Sequence, residues 1–214
     1  MSAAVQPQQI AEAQRHLAAC DPVLAPVIER FGPCGLANRP VDRFHVLAQS
    51  IISQQLSTRA ADAIRARVET AAGCPGRITA EALLGIEADA LRAAGLSNAK
   101  ARWLRGLAEA HRSGALSLQA LDALDDEGAI RLLDALPGVG RWTAEMFLMF
   151  ALHRLDVFSL GDVGLRRGVD LLYNGGRKTD AATTLAIAAR WSPYRTVACW
   201  YLWRHTEGNV QAWT

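Results

Sequence analysis

No two cysteines stand at C-x-x-C spacing. The four present, Cys20, Cys34, Cys74 and Cys199, are scattered over 214 residues, so neither a zinc knot nor an iron–sulfur cluster is supported. No H-E-x-x-H occurs and the five histidines are dispersed, which argues against a metal held by side chains. No apolar run nears the ~20 residues of a membrane span. Met1 to Gln14 lacks the basic and apolar regions of a secretory signal. These absences lead to the expectation of a cytoplasmic protein that does not use a membrane. Val, Ile and Thr are sparse, no run alternates with period two, and no internal repeat appears. The formal charge of only +2 permits nucleic-acid binding without arguing for it, because so small a net charge steers weakly.

What is present reads almost throughout as helix. Phe44 to Gln55 carries Phe44, Leu47, Ile51 and Ile52 at helical spacing, and Ser57 to Ala72 carries Ala60, Ile64 and Val68. Ser57 is a candidate N-cap between them. Short helices follow at Ala80 to Leu84 and Ala88 to Ala94, then a longer one capped by Ser97 that runs to about Ser113. Leu118 to Leu124, Gly128 to Ala135, Arg141 to Leu152, Asp162 to Tyr173, Asp180 to Arg190 and Tyr194 to His205 complete the set. The expected class is all-α, about ten to eleven helices forming one helical unit over residues 1–214. The first ~15 residues are either loosely ordered or one further helix. Cations concentrate at Lys100, Arg102, Arg105 and Arg112, and again at Arg166, Arg167, Arg177 and Lys178. Each group is either a solvated helix face or a nucleic-acid-facing patch.

The most informative stretch is Leu136-Pro137-Gly138-Val139-Gly140-Arg141-Trp142-Thr143-Ala144, followed by Asp162. Two glycines permit backbone angles closed to other residues and leave their N–H groups unshielded. A helix begins at the same point, so its free amides and positive dipole end suit an anion such as a phosphate. As a bare pattern, P-G-x-G also describes an ordinary helix-to-helix turn. Asp162 precedes an apolar helix and equally suits an N-cap; capping and chemistry are not exclusive.

Leu136 to Ala144 resembles the helix-hairpin-helix signature of the base-excision DNA glycosylase superfamily, in which a Gly/Pro-containing loop and a catalytic aspartate follow the hairpin. Asp156 to Asp162 lies where that loop and aspartate belong. Phe44 to Leu47, with Ile51 to Ser57, resembles the family's early helix and its Gln-Gln-x-Ser turn, and Arg190 to Arg195 with Trp200-Tyr201 resembles the end of the alkylated-base branch. The resemblance implies two helical lobes flanking a cleft, a hairpin at about 128–152 and a catalytic loop at about 153–163.

Trp142 stands where bifunctional relatives carry a lysine that attacks the sugar. The resemblance therefore implies a 3-methyladenine DNA glycosylase II type, without the extra N-terminal β lobe of the best-known bacterial members. Such an enzyme hydrolyses the N-glycosidic bond of alkylated purines in double-stranded DNA, with no lyase activity. It implies Asp162 as catalytic, Trp142, Trp191 and Met146 in the base pocket, and Gly138, Gly140, Arg141, Thr143, Gln54, Gln55 and Ser57 as DNA contacts. Gln55 falls where a close relative has a leucine wedge, and Met146 replaces a tyrosine. No cofactor is required; a structural Na+ or K+ on the backbone carbonyls of Asp134, Leu136 and Val139 is implied, and a monomer is expected. Two alternatives remain at this point: a non-catalytic DNA-binding hairpin module, and a glycosylase for neutral lesions such as ethenoadenine or hypoxanthine.

Overall fold

The computed structural model describes residues 5–36, 41–56 and 58–207. Among these it holds twelve α-helices and no strand. In chain order they are α1 (Pro7–Cys20), α2 (Ala25–Phe31), α3 (Arg43–Ser53), α4 (Thr58–Ala71), α5 (Ala80–Gly85), α6 (Ala88–Ala93), α7 (Asn98–Arg112), α8 (Asp126–Asp134), α9 (Arg141–Phe150), α10 (Val163–Tyr173), α11 (Ala181–Ala189) and α12 (Arg195–Glu207). The expected helix at Leu118 to Leu124 shortens to a 3-10 turn, Ala120–Ala123. Ser57, expected as a cap, lies outside the described residues. Of the first ~15 residues, expected as loose or as one further helix, those from Pro7 on begin α1, and α2 is not among the expected helices.

Local capping sets most of the starts. Asp42, Thr79, Ser97, Asp125, Asp162 and Asp180 each accept a backbone N–H three residues on. That satisfies one of the donors a helix start leaves open. The cap at Asp125 explains why α8 begins at Asp126, two residues before the expected Gly128.

The chain divides into two compact units. One joins Met1–Pro40 to Leu148–Thr214; the other is Val41–Phe147. In the first, α10 packs on α12 so closely that a Cβ at Gly168 would stand 3.0 Å from Leu202 Cβ. Its centre is Asp21, completely buried. Asp21 Oδ2 accepts from Tyr173 Oη and Trp191 Nε1, both at 2.8 Å, and Oδ1 accepts from the N–H groups of Val23 and Leu24. Burial pushes this carboxyl upward, but the four donors together outweigh it and hold it below the usual carboxylate range.

The second unit builds on α3, whose Leu47, Ala48, Ile51 and Ile52 are buried against neighbours that include α4 and α7. Arg43 crosses from α3 to the 3-10 turn, donating to the Leu118 carbonyl at 2.8 Å and pairing with Asp122. Arg105 donates to the Ile86 carbonyl at 2.7 Å. One of the cations read as a surface patch is thus engaged inside the fold.

Candidate nucleic-acid interface and catalytic carboxylate

In the second unit, α8 and α9 form the hairpin. Leu133, Ala144 and Phe147 are buried between and around them. Leu136 accepts the Val139 N–H at 3.0 Å and closes the turn. Gly138 adopts φ +85°, the left-handed region open to glycine. A Cβ there would fall 2.5 Å from the ring of Trp103. The glycine is therefore required twice, by torsion and by the tryptophan face laid against it. Gly140 differs from expectation. It has no positive φ, and an added Cβ would meet nothing within 4 Å. It is exposed, so its missing side chain serves an open surface and not a backbone torsion.

The residues expected to touch DNA divide. Gln54 ends α3, and its amide donates to the Gly138 carbonyl at 2.7 Å and approaches Thr143 Oγ1 at 3.5 Å. Thr143 is buried. Both side chains hold the hairpin, and both border the groove beside it. Arg141 pairs with Glu127 of α8 and with Glu145 at 2.9 Å. Its charge ties the two hairpin helices together. Gln55 is exposed at φ +58°, a left-handed torsion uncommon outside glycine. Ser57 lies outside the described residues. An open groove of about 860 Å³ is lined by Gln54, Gln55, Trp103, Gly138, Gly140 and Trp142, among others. Asp134, Leu136 and Val139 also border it.

Trp142 is 37% exposed, whereas Met146 and Trp191 are completely buried. Trp191 packs among Tyr173 and Phe158 with its indole N–H on Asp21. Of the three residues expected to line a base pocket, only Trp142 presents a surface. The other two lie in the core, Trp191 with its indole on a buried carboxylate and Met146 on the inner face of α9.

In the first unit, Asp162 caps α10. Its Oδ1 accepts the Leu165 N–H at 2.8 Å and the Trp203 indole N–H at 3.0 Å. The residue is 9% exposed. Trp203 stacks at a tilt on Phe150, with 5.8 Å between ring centroids. Two donors on one oxygen fix the carboxyl's orientation. The preceding loop is pinned in turn. Thr196 donates to the Arg154 carbonyl at 2.7 Å and accepts the Val157 N–H at 3.0 Å. Asp156 receives a two-pronged contact from Arg195, at 2.8 and 3.1 Å. Burial raises Asp156, but Arg195 and Ser192 together hold it below the usual range. Asp156 therefore serves the loop's structure.

Trp103, Lys100, Asp21 and Trp203 were not among the expected site residues. Their partners lie far away in sequence, and the only local sign was the cation group that includes Lys100.

Residues 48–193 match the model of the HhH-GPD superfamily of base excision DNA repair proteins, and the chain belongs to that family. It is 32% identical over 174 residues to the DNA-3-methyladenine glycosylase 1 of Schizosaccharomyces pombe, covering 79% of this chain and 76% of that protein. Among solved structures it resembles a DNA-3-methyladenine glycosidase from Bacillus halodurans, with a TM-score of 0.81 at 41% identity over 91% of this chain and 89% of the other. The S. pombe 3-methyladenine DNA glycosylase in complex with abasic DNA gives a TM-score of 0.80 at 30% identity, covering 95% and 99%.

The two hairpin glycines separate by experiment. Gly138→Ala is expected to lose about 1–3 kcal/mol of stability through torsional strain and the clash with Trp103. Gly140→Ala is expected to unfold like the wild type. Urea denaturation of both variants measures the difference, and equal midpoints would refute the distinction.

Proposed function

We propose that this chain removes alkylated purines, of the 3-methyladenine and 7-methylguanine type, from double-stranded DNA by hydrolysing the N-glycosidic bond. The carrying observation is Asp162, a nearly buried carboxylate oriented by two N–H donors, in a chain that matches the repair family over residues 48–193. The named activities of its relatives support the same reading.

The chemistry suits one carboxylate. Sugar hydrolysis usually needs an acid to protonate the leaving group. A purine alkylated at N3 or N7 already carries positive charge and leaves without one. What remains is to stabilise the cationic deoxyribose and to admit water. Asp162 supplies fixed negative charge where positive charge develops, and preorganised groups of this kind contribute most to such steps. The target nucleotide must first leave the stack. The backbone amides of Gly138 and Gly140 hold a phosphate of the lesion strand. Gln55, exposed and left-handed, fills the vacated space. Trp142 offers an electron-rich face to the cationic base, worth roughly 0.5–2 kcal/mol. The protein acts as a monomer on DNA in the cytoplasm or nucleoid.

Trp142 stands where lyase-type relatives place an amine. The enzyme therefore uses water and leaves the abasic strand intact. A structural Na+ or K+ fits the hairpin. Asp134 lies in the last turn of α8, where carbonyls lack intrahelical donors, and it borders the same groove as Leu136 and Val139. Backbone oxygens are hard donors suited to such an ion. When bound, it would add positive charge beside the phosphate-holding amides.

Three measurements test this reading. Asp162→Asn keeps an oxygen for Leu165 and Trp203, so the fold is retained while the charge is lost. Release of 7-methylguanine from methylated DNA should fall by at least about 10²–10³ with duplex binding preserved; release at the wild-type rate would remove Asp162 from the chemistry. Borohydride added during turnover should trap no protein–DNA adduct, and an adduct would reveal an amine nucleophile. Replacing K+ and Na+ by tetramethylammonium at constant ionic strength should weaken duplex binding, and unchanged affinity would dismiss the cation.

A further inference from the structure

Two side chains of α7 reach two separate segments of the second unit. Lys100 Nζ donates to the Ile52 carbonyl at 2.7 Å and to the Gln54 carbonyl at 2.6 Å. Trp103, three residues on and so on the same side of the helix, lays its ring against Gly138. The two segments are also joined directly, by the Gln54 amide on the Gly138 carbonyl. Residue 54 is therefore held by its main chain and by its side chain at once.

The position of the lysine matters for the next residue. The Gln54 carbonyl belongs to the peptide plane whose rotation defines φ of Gln55. Fixing that carbonyl fixes the plane from which Gln55 turns into its left-handed conformation. A non-glycine residue persists in that region only when its surroundings over-determine it. The ammonium also offsets the negative end of α3, which would otherwise face the phosphates of any strand passing Gln55. Its partial burial lowers the lysine from its ordinary value, but the contact to two carbonyls is the geometry that counts. Arginine, with several N–H donors in a planar fork, can reach the same acceptors. Methionine fills similar space and supplies none.

We propose that Lys100 is a positioning residue for base flipping: by pinning the Gln54 carbonyl while Trp103 seats Gly138, it sets Gln55 at a fixed reach from the phosphate-holding turn, so that filling the gap and gripping the strand occur together. The proposal rests on the glycosylase reading above and adds to it a residue that acts through the main chain of Gln54.

The test compares Lys100→Met and Lys100→Arg with the wild type. One readout is single-turnover release of 7-methylguanine at saturating enzyme. A second, independent of chemistry, is the fluorescence of 2-aminopurine placed opposite a tetrahydrofuran abasic analogue. The third is affinity for undamaged duplex. K100M is expected to release base about tenfold to a hundredfold more slowly, the scale of a small misplacement near a reacting centre. It should also show a reduced 2-aminopurine change and bind undamaged duplex as the wild type does. K100R should recover most of both signals. Wild-type behaviour of K100M in both readouts overturns the proposal, as does a loss of undamaged-duplex affinity equal to the loss of rate. If K100M has no thermal unfolding transition, Gln54→Met decides instead. It removes the other tether, and failure to show the same split refutes the coupling. A wild type that releases no base overturns the glycosylase reading alone, because the fluorescence comparison still judges Lys100.

Discussion

The left-handed turn at Gly138, closed against the face of Trp103, is the constraint on which the hairpin depends. A φ of +85° excludes ordinary side chains, and the ring occupies the place a Cβ would take. The peptide beyond is turned by that torsion, and its carbonyl is taken by Gln54. Gly140 follows with open space where its side chain would be. The loop thus has one glycine for shape and one for access. The phosphate contact proposed above would use the second.

The carboxylate in the other unit is built with the same means. Asp162 takes its orientation from a backbone N–H and an indole N–H. Its role as helix cap does not compete with chemistry. A cap fixes the oxygen that accepts, and a carboxylate fixed in this way can meet developing positive charge without reorganising, as the proposed role requires. The loop leading to it is tied to α12 through Thr196 and Arg195. The helix that carries Trp203 therefore also holds the approach to Asp162.

The all-α class and most helix positions were legible because capping and apolar spacing act over three or four residues. Ser97 and Asp162 cap where a serine or aspartate before an apolar helix should. The hairpin was legible for the same reason, as a local run from Leu136 to Ala144. What escaped was set by distant partners. Trp191 carries no sign in its own neighbourhood that Asp21, 170 residues away, takes its indole N–H. That contact turns an apparent pocket residue into core. Gln54 reads as a DNA contact until Gly138, 84 residues on, is found against it. Gly140 was misjudged differently: a glycine signals freedom, and only coordinates tell freedom of torsion from freedom of approach.

The polar residues then sort by what already holds them. Lys100 and Arg105 are taken by carbonyls, Arg141 by two glutamates, and Thr143 and Gln54 by each other and the turn. Of the cations that sequence offers as contacts, Lys100, Arg105 and Arg141 are engaged within the protein, whereas Arg102, Arg112, Arg166, Arg167, Arg177 and Lys178 are exposed. The groove at the hairpin is lined by Gly138 and Gly140, with Gln55 and Trp142 beside them among others. A formal charge of only +2 is consistent with this. Oriented amides and a helix end hold a phosphate without net charge, and they hold it in one place. A field of mobile lysines would attract DNA from farther away but would not fix its register. For a glycosylase that must address one nucleotide in a duplex, fixed donors meet the requirement of placement more directly than long-range attraction does.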